Sequence, residues 1–133
     1  MIKANELRIG NWYNHNGEYC QVSPSTILEV WESPRKWVQP IHLTPEILGK
    51  SEGFEMILWN GVFRQYYFSI TNNTVLSLFF GEYIGFENRL DKVTFGTHPY
   101  YSGCTYGNFP VKYLHQLQNL YFALTGEELT FKP

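Results

Sequence analysis

Cysteine is scarce in this chain: its 133 residues include only Cys20 and Cys104, which lack the CxxC spacing of a zinc motif. Two distant thiols do not make the disulfide framework of a small secreted domain, so we expect a reducing, cytoplasmic environment. The first residues also lack the apolar stretch of a secretory leader, and no run approaches the ~18 apolar residues of a membrane span. We therefore expect neither secretion nor membrane insertion.

Charge is sparse as well. Charged residues make up only 17% of the chain, and the formal net charge is −2. This balance disfavours a general nucleic-acid binder, which usually carries a basic surface. The glycines form neither a GxGxxG nor a GxxxxGK[ST] loop, and the histidines show no HxxxH or HExxH spacing. The sequence therefore predicts no cofactor and no metal site.

Aromatic residues are what the chain has in excess. They make up 18% of it, and hydrophobic residues make up 44%. A chain of this size can bury one core without metals or disulfides, so we expect a single domain spanning residues 1–133. Tyrosine can pack its ring while its hydroxyl stays hydrated, and an excess of tyrosine therefore favours an adhesive surface.

The N-terminal third has the pattern of four short strands separated by turns, at 7–13, 18–23, 26–31 and 37–43. Between the first two, the sequence Asn-His-Asn-Gly at 14–17 supplies residues that tolerate a positive φ. We expect these four segments to form a small curled sheet or an SH3-like half-barrel.

The central region predicts an antiparallel meander. Segments 54–59 and 62–70 flank Asn60-Gly61, the dipeptide most favoured in a two-residue hairpin loop. Further strands are expected at 75–80 and 92–95. Within 62–70, the alternation of side chains places Phe68 on the core side and Gln65 on the outer side.

Two helices complete the expected α+β fold. A short one begins with Thr44 as its N-cap and Pro45 at the first helical position, where a missing N–H costs nothing. A longer amphipathic helix is expected over 111–125, with Gly126 just beyond its end. The fold class is therefore an antiparallel sheet with one short helix and one C-terminal amphipathic helix.

Gln118 is the unusual residue of the terminal helix, because its helical angle falls within the apolar arc. A buried amide needs hydrogen-bond partners, and such residues commonly hold a neighbouring loop or strand edge. We expect Gln118, and His115 beside it, to have this structural role.

Both ends of the chain resemble a known family. The segments KANELRIGN at 3–11 and HQLQNLYFALTGEEL at 115–129 are similar to segments of a group of uncharacterised proteins encoded in Bacteroidetes genomes, their phages and mobile elements. The central LTPEIL at 43–48 also resembles that group. The resemblance implies a phage or mobile-element setting, and it carries no activity, ligand or catalytic residue.

Cys104 and His98 are the one pair that suggests catalysis, because an imidazole beside a thiol can keep a nucleophilic thiolate charged. No orienting carboxylate or oxyanion hole can be assigned from the sequence. An enzyme with this Cys/His site is therefore the third interpretation, and the sequence identifies no catalytic residue.

Trp31 and Trp37 flank Arg35 and Lys36 at an expected hairpin tip. Two cations between two rings could contact phosphates and stack bases, so a single-stranded nucleic-acid-binding module is the alternative function. The competing explanation is that the arginine and lysine stems simply cover the tryptophan faces.

The segment 97–110 is the richest in large side chains: Tyr100, Tyr101, Tyr106 and Phe109. Together with Trp31 and Trp37, these rings could form a protein-binding surface, or they could fold back and cap the sheet. We expect a non-enzymatic interaction or accessory protein that binds a protein partner through an aromatic-rich surface. An exposed sheet edge could equally pair two copies into a homodimer.

Overall fold

The computed structural model describes residues 2–33, 37–59, 63–71, 74–83, 86–96 and 111–133. The chain groups into two compact units. Unit 1 comprises Met1–His42 and Lys112–Glu128 with Pro133, and unit 2 comprises Leu43–Val111 and Leu129–Lys132. The expectation of one domain over 1–133 stays a prediction.

The elements follow one another in a mixed order, which confirms the α+β class. In chain order they are a 3₁₀ turn (Ala4–Glu6), β1 (Trp12–His15), β2 (Glu18–Gln21), α1 (Pro24–Glu32), α2 (Pro45–Gly49), β3 (Glu55–Trp59), β4 (Phe63–Thr71), β5 (Thr74–Tyr83), β6 (Phe86–Gly96) and α3 (Leu114–Thr125).

Unit 1 begins with a short antiparallel hairpin of β1 and β2. Its turn uses the expected residues, because Asn16 has a φ of 50° and Gly17 a φ of 94°. Asn14 stabilises the reversal by accepting the Gly17 N–H at 2.7 Å on its side-chain oxygen. The turn predicted at 14–17 is therefore confirmed.

The expected SH3-like half-barrel is wrong: the strand predicted at 18–23 largely coincides with β2, the one predicted at 7–13 overlaps β1 only at its last two residues, and the other two are not strands. Residues predicted as the third strand, 26–31, belong to helix α1, because Ser23 and Pro24 provide a strong helix start. The fourth segment, 37–43, contributes only isolated bridges at Gln39 and His42. A two-stranded hairpin and a helix take the place of the curled sheet.

The core of unit 1 joins both sides of the hairpin to α1. Its fully buried apolar residues are Ile2, Leu7, Tyr13, Val22, Val30 and Val38. Ala4, Cys20, Ile27 and Trp37 pack against them and are partly buried.

Unit 2 contains the antiparallel meander, a four-stranded sheet in the order β3-β4-β5-β6. The hairpin predicted from 54–59 and 62–70 is confirmed, although Asn60-Gly61 lies outside the described residues. Strand β6 is longer than the expected 92–95.

Gln65, expected on the outer side, is fully buried and donates to the Ser77 hydroxyl at 2.9 Å. The hydrogen bond to the neighbouring strand offsets the free-energy cost of burying the Gln65 amide.

Both predicted helices are present. Thr44 caps α2 by accepting the Ile47 N–H at 3.2 Å, and Pro45 occupies the first helical position. Helix α3 begins at Leu114, three residues later than expected, and Gly126 follows it in the left-handed conformation with a φ of 74°. Gly126 therefore terminates the helix as the sequence predicts.

Candidate functional site

Helix α1 carries Trp31, one of the two residues of the predicted aromatic surface that the structure describes. The Ser23 hydroxyl accepts the N–H of Thr26 at 3.4 Å, and the Thr26 hydroxyl accepts the N–H of Ser23 at 3.2 Å. Pro24 occupies the first helical position. These reciprocal bonds fix where the helix begins, and therefore which side chains face the core.

The inner face of α1 anchors the helix to unit 1. Thr26 and Val30, four residues apart, are both buried, and Ile27 packs against the core from a partly buried position. An amphipathic helix held in this way would normally present polar residues on its other face.

The outer face of α1 is instead partly apolar. Leu28 is 60% exposed and Trp31 is 73% exposed. They lie three positions apart, so they are neighbours on the helix surface, and we name the pair the α1 patch. Glu29 and Glu32 on the same helix are also exposed. The α1 patch is therefore an apolar surface on a helix whose charged side chains are acidic.

Sequence reasoning did not find Leu28 as a site residue. In the strand expected over 26–31, positions 28 and 31 would point to opposite faces, whereas a helix brings them together. The signal that could have revealed the pair is the helix start at Ser23-Pro24, which resembles the correctly predicted start of α2.

Trp37 lies in a different environment from Trp31. Its ring centroid is 6.2 Å from that of Tyr13 and 5.2 Å from that of His15, and the side chain packs against the core. Because 26–31 is helical, Trp31 and Trp37 do not face one another across a hairpin. Trp37 thus contributes to the packing of unit 1.

The remaining predicted site residues lie outside the part of the chain that the structure describes. They are Arg35, Lys36, Tyr100, Tyr101, Tyr106 and Phe109. The same holds for the Cys/His pair, Cys104 and His98. Of the predicted binding residues, Trp31 and Trp37 can therefore be placed.

A second polar feature of unit 1 surrounds Arg8. Its Nε donates to Asn119 Oδ1 at 2.8 Å, and its Nη1 and Nη2 donate to the two oxygens of Glu128 at 2.8 and 3.0 Å. Nη2 also lies 3.4 Å from the Gln118 carbonyl oxygen. The guanidinium carbon is 4.3 Å from the centre of the Phe122 ring. These contacts occupy the guanidinium, so Arg8 has a structural role and is not free to capture an anion.

Asn11 and Asn119 extend this network into the interior. Asn11 is fully buried; its Oδ1 accepts the Arg8 N–H at 2.7 Å, and its Nδ2 donates to Asn119 Oδ1 at 3.0 Å. Asn119 Nδ2 donates to the Glu6 carbonyl at 2.8 Å. The network thus joins residues 6–11 to residues 118–128.

Gln118 has the structural role expected from its position. Its Oε1 accepts the Trp12 N–H at 2.9 Å, and its Nε2 donates to the Gly10 carbonyl at 3.4 Å. The side chain is 2% exposed. The prediction that this amide ties down a strand edge is therefore confirmed.

His115 does not behave as expected. It is 1% exposed, and neither ring nitrogen has a hydrogen-bond partner among the described residues. Its ring lies nearly parallel to that of Tyr113, with centroids 5.8 Å apart and planes 9° apart. Burial lowers the pKa of the imidazole, and the nearby Glu6 carboxylate opposes that shift. His115 is therefore a stacked, desolvated side chain, and the prediction that it hydrogen-bonds to neighbouring backbone is wrong.

The described residues include side chains of the types that ligate metals, and one cysteine, Cys20. Within residues 2–33, 37–59, 63–71, 74–83, 86–96 and 111–133, no group of three or more His, Cys, Asp or Glu side chains could hold a metal ion. Cys20 carries a free thiol in a partly buried position. It packs against the apolar core, an environment typical of an unreactive cysteine.

Comparison with known proteins gives no match: no family model, curated protein or solved structure corresponds to this chain. Among the residues that the structure describes, no helix is both long and apolar enough to cross a membrane. The α1 patch is thus the feature with the clearest bearing on function, because the Arg8 network is internally satisfied.

Proposed function

We propose that this chain is a non-enzymatic interaction protein that binds a protein partner through an aromatic-rich surface centred on the α1 patch. The observation that carries the proposal is the exposure of Trp31, at 73%, beside Leu28, at 60%. Scattered exposed apolar residues are common, but a tryptophan paired with a leucine on one helical face is a typical anchor for a partner.

The chemistry of the α1 patch suits a helix-in-groove contact. Leu28 and Trp31 have the three-residue spacing with which an amphipathic helix presents anchors to an apolar groove. Tryptophan buries a large area while freezing only two torsions, so a single ring can dominate such an interface. Truncating an anchor of this kind typically costs ~2 kcal/mol or more of binding free energy.

The charges on α1 favour a protein partner over a nucleic acid. Glu29 and Glu32 are exposed on the helix that carries Trp31, and α1 contains no lysine or arginine. These carboxylates would repel phosphates but would attract a partner whose groove is bordered by lysine or arginine. The partner proposed here is therefore a protein with an apolar groove and a basic rim.

The wider surface and the biological setting are parts of the same proposal. Tyr100, Tyr101, Tyr106 and Phe109 remain predicted contributors, because aromatic side chains are enriched at interfaces. The phage or mobile-element setting comes from the resemblance of segments 3–11 and 115–129. An accessory protein of such an element would act by binding a host or element protein.

The experiment compares three immobilised baits in lysates of Bacteroidetes cells that carry related elements: the native chain, Trp31→Ala, and Ile9→Ser. Ile9 is the matched control because it is apolar, 61% exposed and part of unit 1, yet does not belong to α1. We expect a protein retained by the native and Ile9→Ser baits and lost from Trp31→Ala. The purified partner should then bind Trp31→Ala at least about 30-fold more weakly than the native chain.

Two results would count against this function. Equal retention of every captured protein by the native and Trp31→Ala baits would show that the α1 patch is not the binding surface. Retention that disappears after nuclease treatment would favour the nucleic-acid alternative, and a labelled single-stranded oligonucleotide at low salt would then test it directly.

A further inference from the structure

Strand β3 forms one edge of the four-stranded sheet, with β4 as its neighbour among the described strands. It pairs with β4 over all five residues in an unbroken antiparallel register. In an edge strand, the N–H and C=O groups of alternate residues point away from the sheet and are available to another strand.

The sequence of β3 lacks the usual protection of such an edge. The strand reads Glu-Met-Ile-Leu-Trp, without lysine or proline, and its register contains no bulge. Met56 is 52% exposed and Leu58 is 54% exposed. Being two residues apart, they lie on the same face of the strand.

The one charge of β3 lies on the opposite face. Glu55 alternates with Met56, and its carboxylate accepts a hydrogen bond from the Tyr67 hydroxyl at 2.5 Å. The face that carries Met56 and Leu58 therefore has no charge contributed by β3. Considering only the strands that the structure describes, an approaching strand would meet a backbone edge that no other strand occupies, with apolar side chains on one side.

We propose that a second copy of this chain pairs with β3, antiparallel and centred on Ile57. In that register Met56 of one copy lies opposite Leu58 of the other, and the two-fold symmetry repeats the contact. The backbones would form about four to six hydrogen bonds, depending on which residues point outward. The product is a continuous eight-stranded sheet in which Met56 and Leu58 of each copy gain a cross-strand apolar neighbour.

Charge excludes registers centred near the start of the strand, and the register centred on Ile57 pairs all five residues of β3. With Ile57 at the centre, Glu55 lies opposite position 59 of the partner copy, so the two carboxylates are kept apart. A register shifted toward the start of the strand would place Glu55 opposite its own copy, and like charges that face each other directly are destabilising. Two copies of β3 therefore place apolar residues opposite one another and keep their carboxylates apart. A foreign strand would need its own sequence to match these positions.

A five-residue pairing is a small interface, so we expect weak, reversible association. Sedimentation equilibrium of the full chain, at concentrations of about 10 to 500 µM, should show the mass rising from the 15.6 kDa of one chain toward twice that value. A mass that stays at one chain throughout would overturn the proposal. Continued growth beyond two copies would also overturn it, since two-fold pairing is closed.

Two double variants test the register. Met56→Lys with Leu58→Lys places lysine opposite lysine across the symmetric pair, whereas Met56→Lys with Leu58→Glu places lysine opposite glutamate. Both change the same exposed positions and remove the same apolar side chains. We expect the dimer of the lysine–lysine variant to be at least about tenfold weaker than that of the lysine–glutamate variant, with the difference reduced by salt.

Equal dissociation constants for the two double variants, with native far-ultraviolet circular dichroism in both, would show that another surface or register pairs the copies. Trp31→Ala serves as the control from unit 1 and should leave the mass unchanged. Because Met56 and Leu58 do not belong to the α1 patch, failure of this pairing leaves the proposed partner binding standing, and the reverse also holds.

Discussion

Arg8 donates two parallel hydrogen bonds to Glu128, from Nη1 to Oε1 at 2.8 Å and from Nη2 to Oε2 at 3.0 Å. The two residues lie 120 positions apart in the sequence. Fixed fork geometry of this kind is specific to arginine. These two hydrogen bonds thus join residues from opposite ends of the sequence within unit 1.

Replacing Arg8 should cost more stability than replacing its ionic partner. Arg8→Ala also removes the bond to Asn119 and the packing on Phe122, so we expect a loss of about 1–3 kcal/mol. The side chains of Arg8 and Glu128 are 30% and 56% exposed, so solvent screens the ion pair, and Glu128→Gln should cost only about 0–1 kcal/mol. Urea unfolding measures both values, and equal losses would contradict the assignment.

Asn11→Asp should destabilise unit 1 although it barely changes shape. Asn11 Nδ2 donates to Asn119 Oδ1 at 3.0 Å, and a carboxylate would instead oppose that oxygen inside a fully buried site. We expect a loss of about 1–3 kcal/mol at pH 7 in chemical unfolding. The difference from the native chain should shrink near pH 4, where a protonated carboxyl can donate again. Asn5→Asp, at an exposed position, is the control and should be nearly neutral.

The sequence predicted the elements whose signals are local and regular. The α2 start at Thr44-Pro45, the end of α3 at Gly126 and the β3–β4 hairpin all follow from residues within a few positions of the feature. Gln118 was also predictable, because a polar residue on an apolar helical arc must find partners.

The sequence-based predictions failed where two local signals compete, or where hydrogen-bond partners are distant in the sequence. Residues 26–31 are rich in β-branched and aromatic side chains, which are typical of strands, but the cap at Ser23 makes them helical. The partners of Arg8 lie more than a hundred positions away, so no window of sequence could reveal them. The α1 patch was missed for the same reason as the helix, since its two residues become neighbours only when 26–31 is helical.

Ser23→Ala should weaken α1 by about 0.5–2 kcal/mol, because it removes the acceptor for the Thr26 N–H. Ser23→Asp should retain most of the stability, since aspartate caps equally well and favours the positive end of the helix. Thermal unfolding followed by circular dichroism distinguishes the two. If Ser23→Ala were as stable as Ser23→Asp, the cap would not be what sets the start of the helix.

His115 should make unit 1 sensitive to mild acid. Burial lowers its pKa in the folded chain below the unfolded value of about 6.5, so the folded state prefers the neutral ring. The stability associated with that neutral ring is fully present above about pH 6.5 and is lost as the pH falls toward the folded pKa, because unfolding then takes up a proton. We expect the free energy of unfolding to fall as the pH drops below about 6.5, with a slope of at most about 1.4 kcal/mol per pH unit from this group.

His115→Phe tests that assignment, because it keeps an aromatic ring beside Tyr113 and removes the titrating group. The variant should lose the fall in stability over this range, and at pH 7 it should be at least as stable as the native chain, since no hydrogen bond is given up. His15→Phe, at an exposed position, should leave the fall in place. An unchanged slope in His115→Phe would assign the acid sensitivity to other groups.

Trp31 and Trp37 should respond oppositely to truncation, although they lie only six positions apart. Trp31 is 73% exposed, so Trp31→Ala should change the free energy of unfolding by no more than about 0.5 kcal/mol. Trp37 packs against the core with its ring near Tyr13 and His15, so Trp37→Ala should cost about 2 kcal/mol or more. Guanidinium unfolding of both variants makes the comparison. A large loss in Trp31→Ala would mean that its ring supports the fold and would remove the basis for treating α1 as a free docking surface.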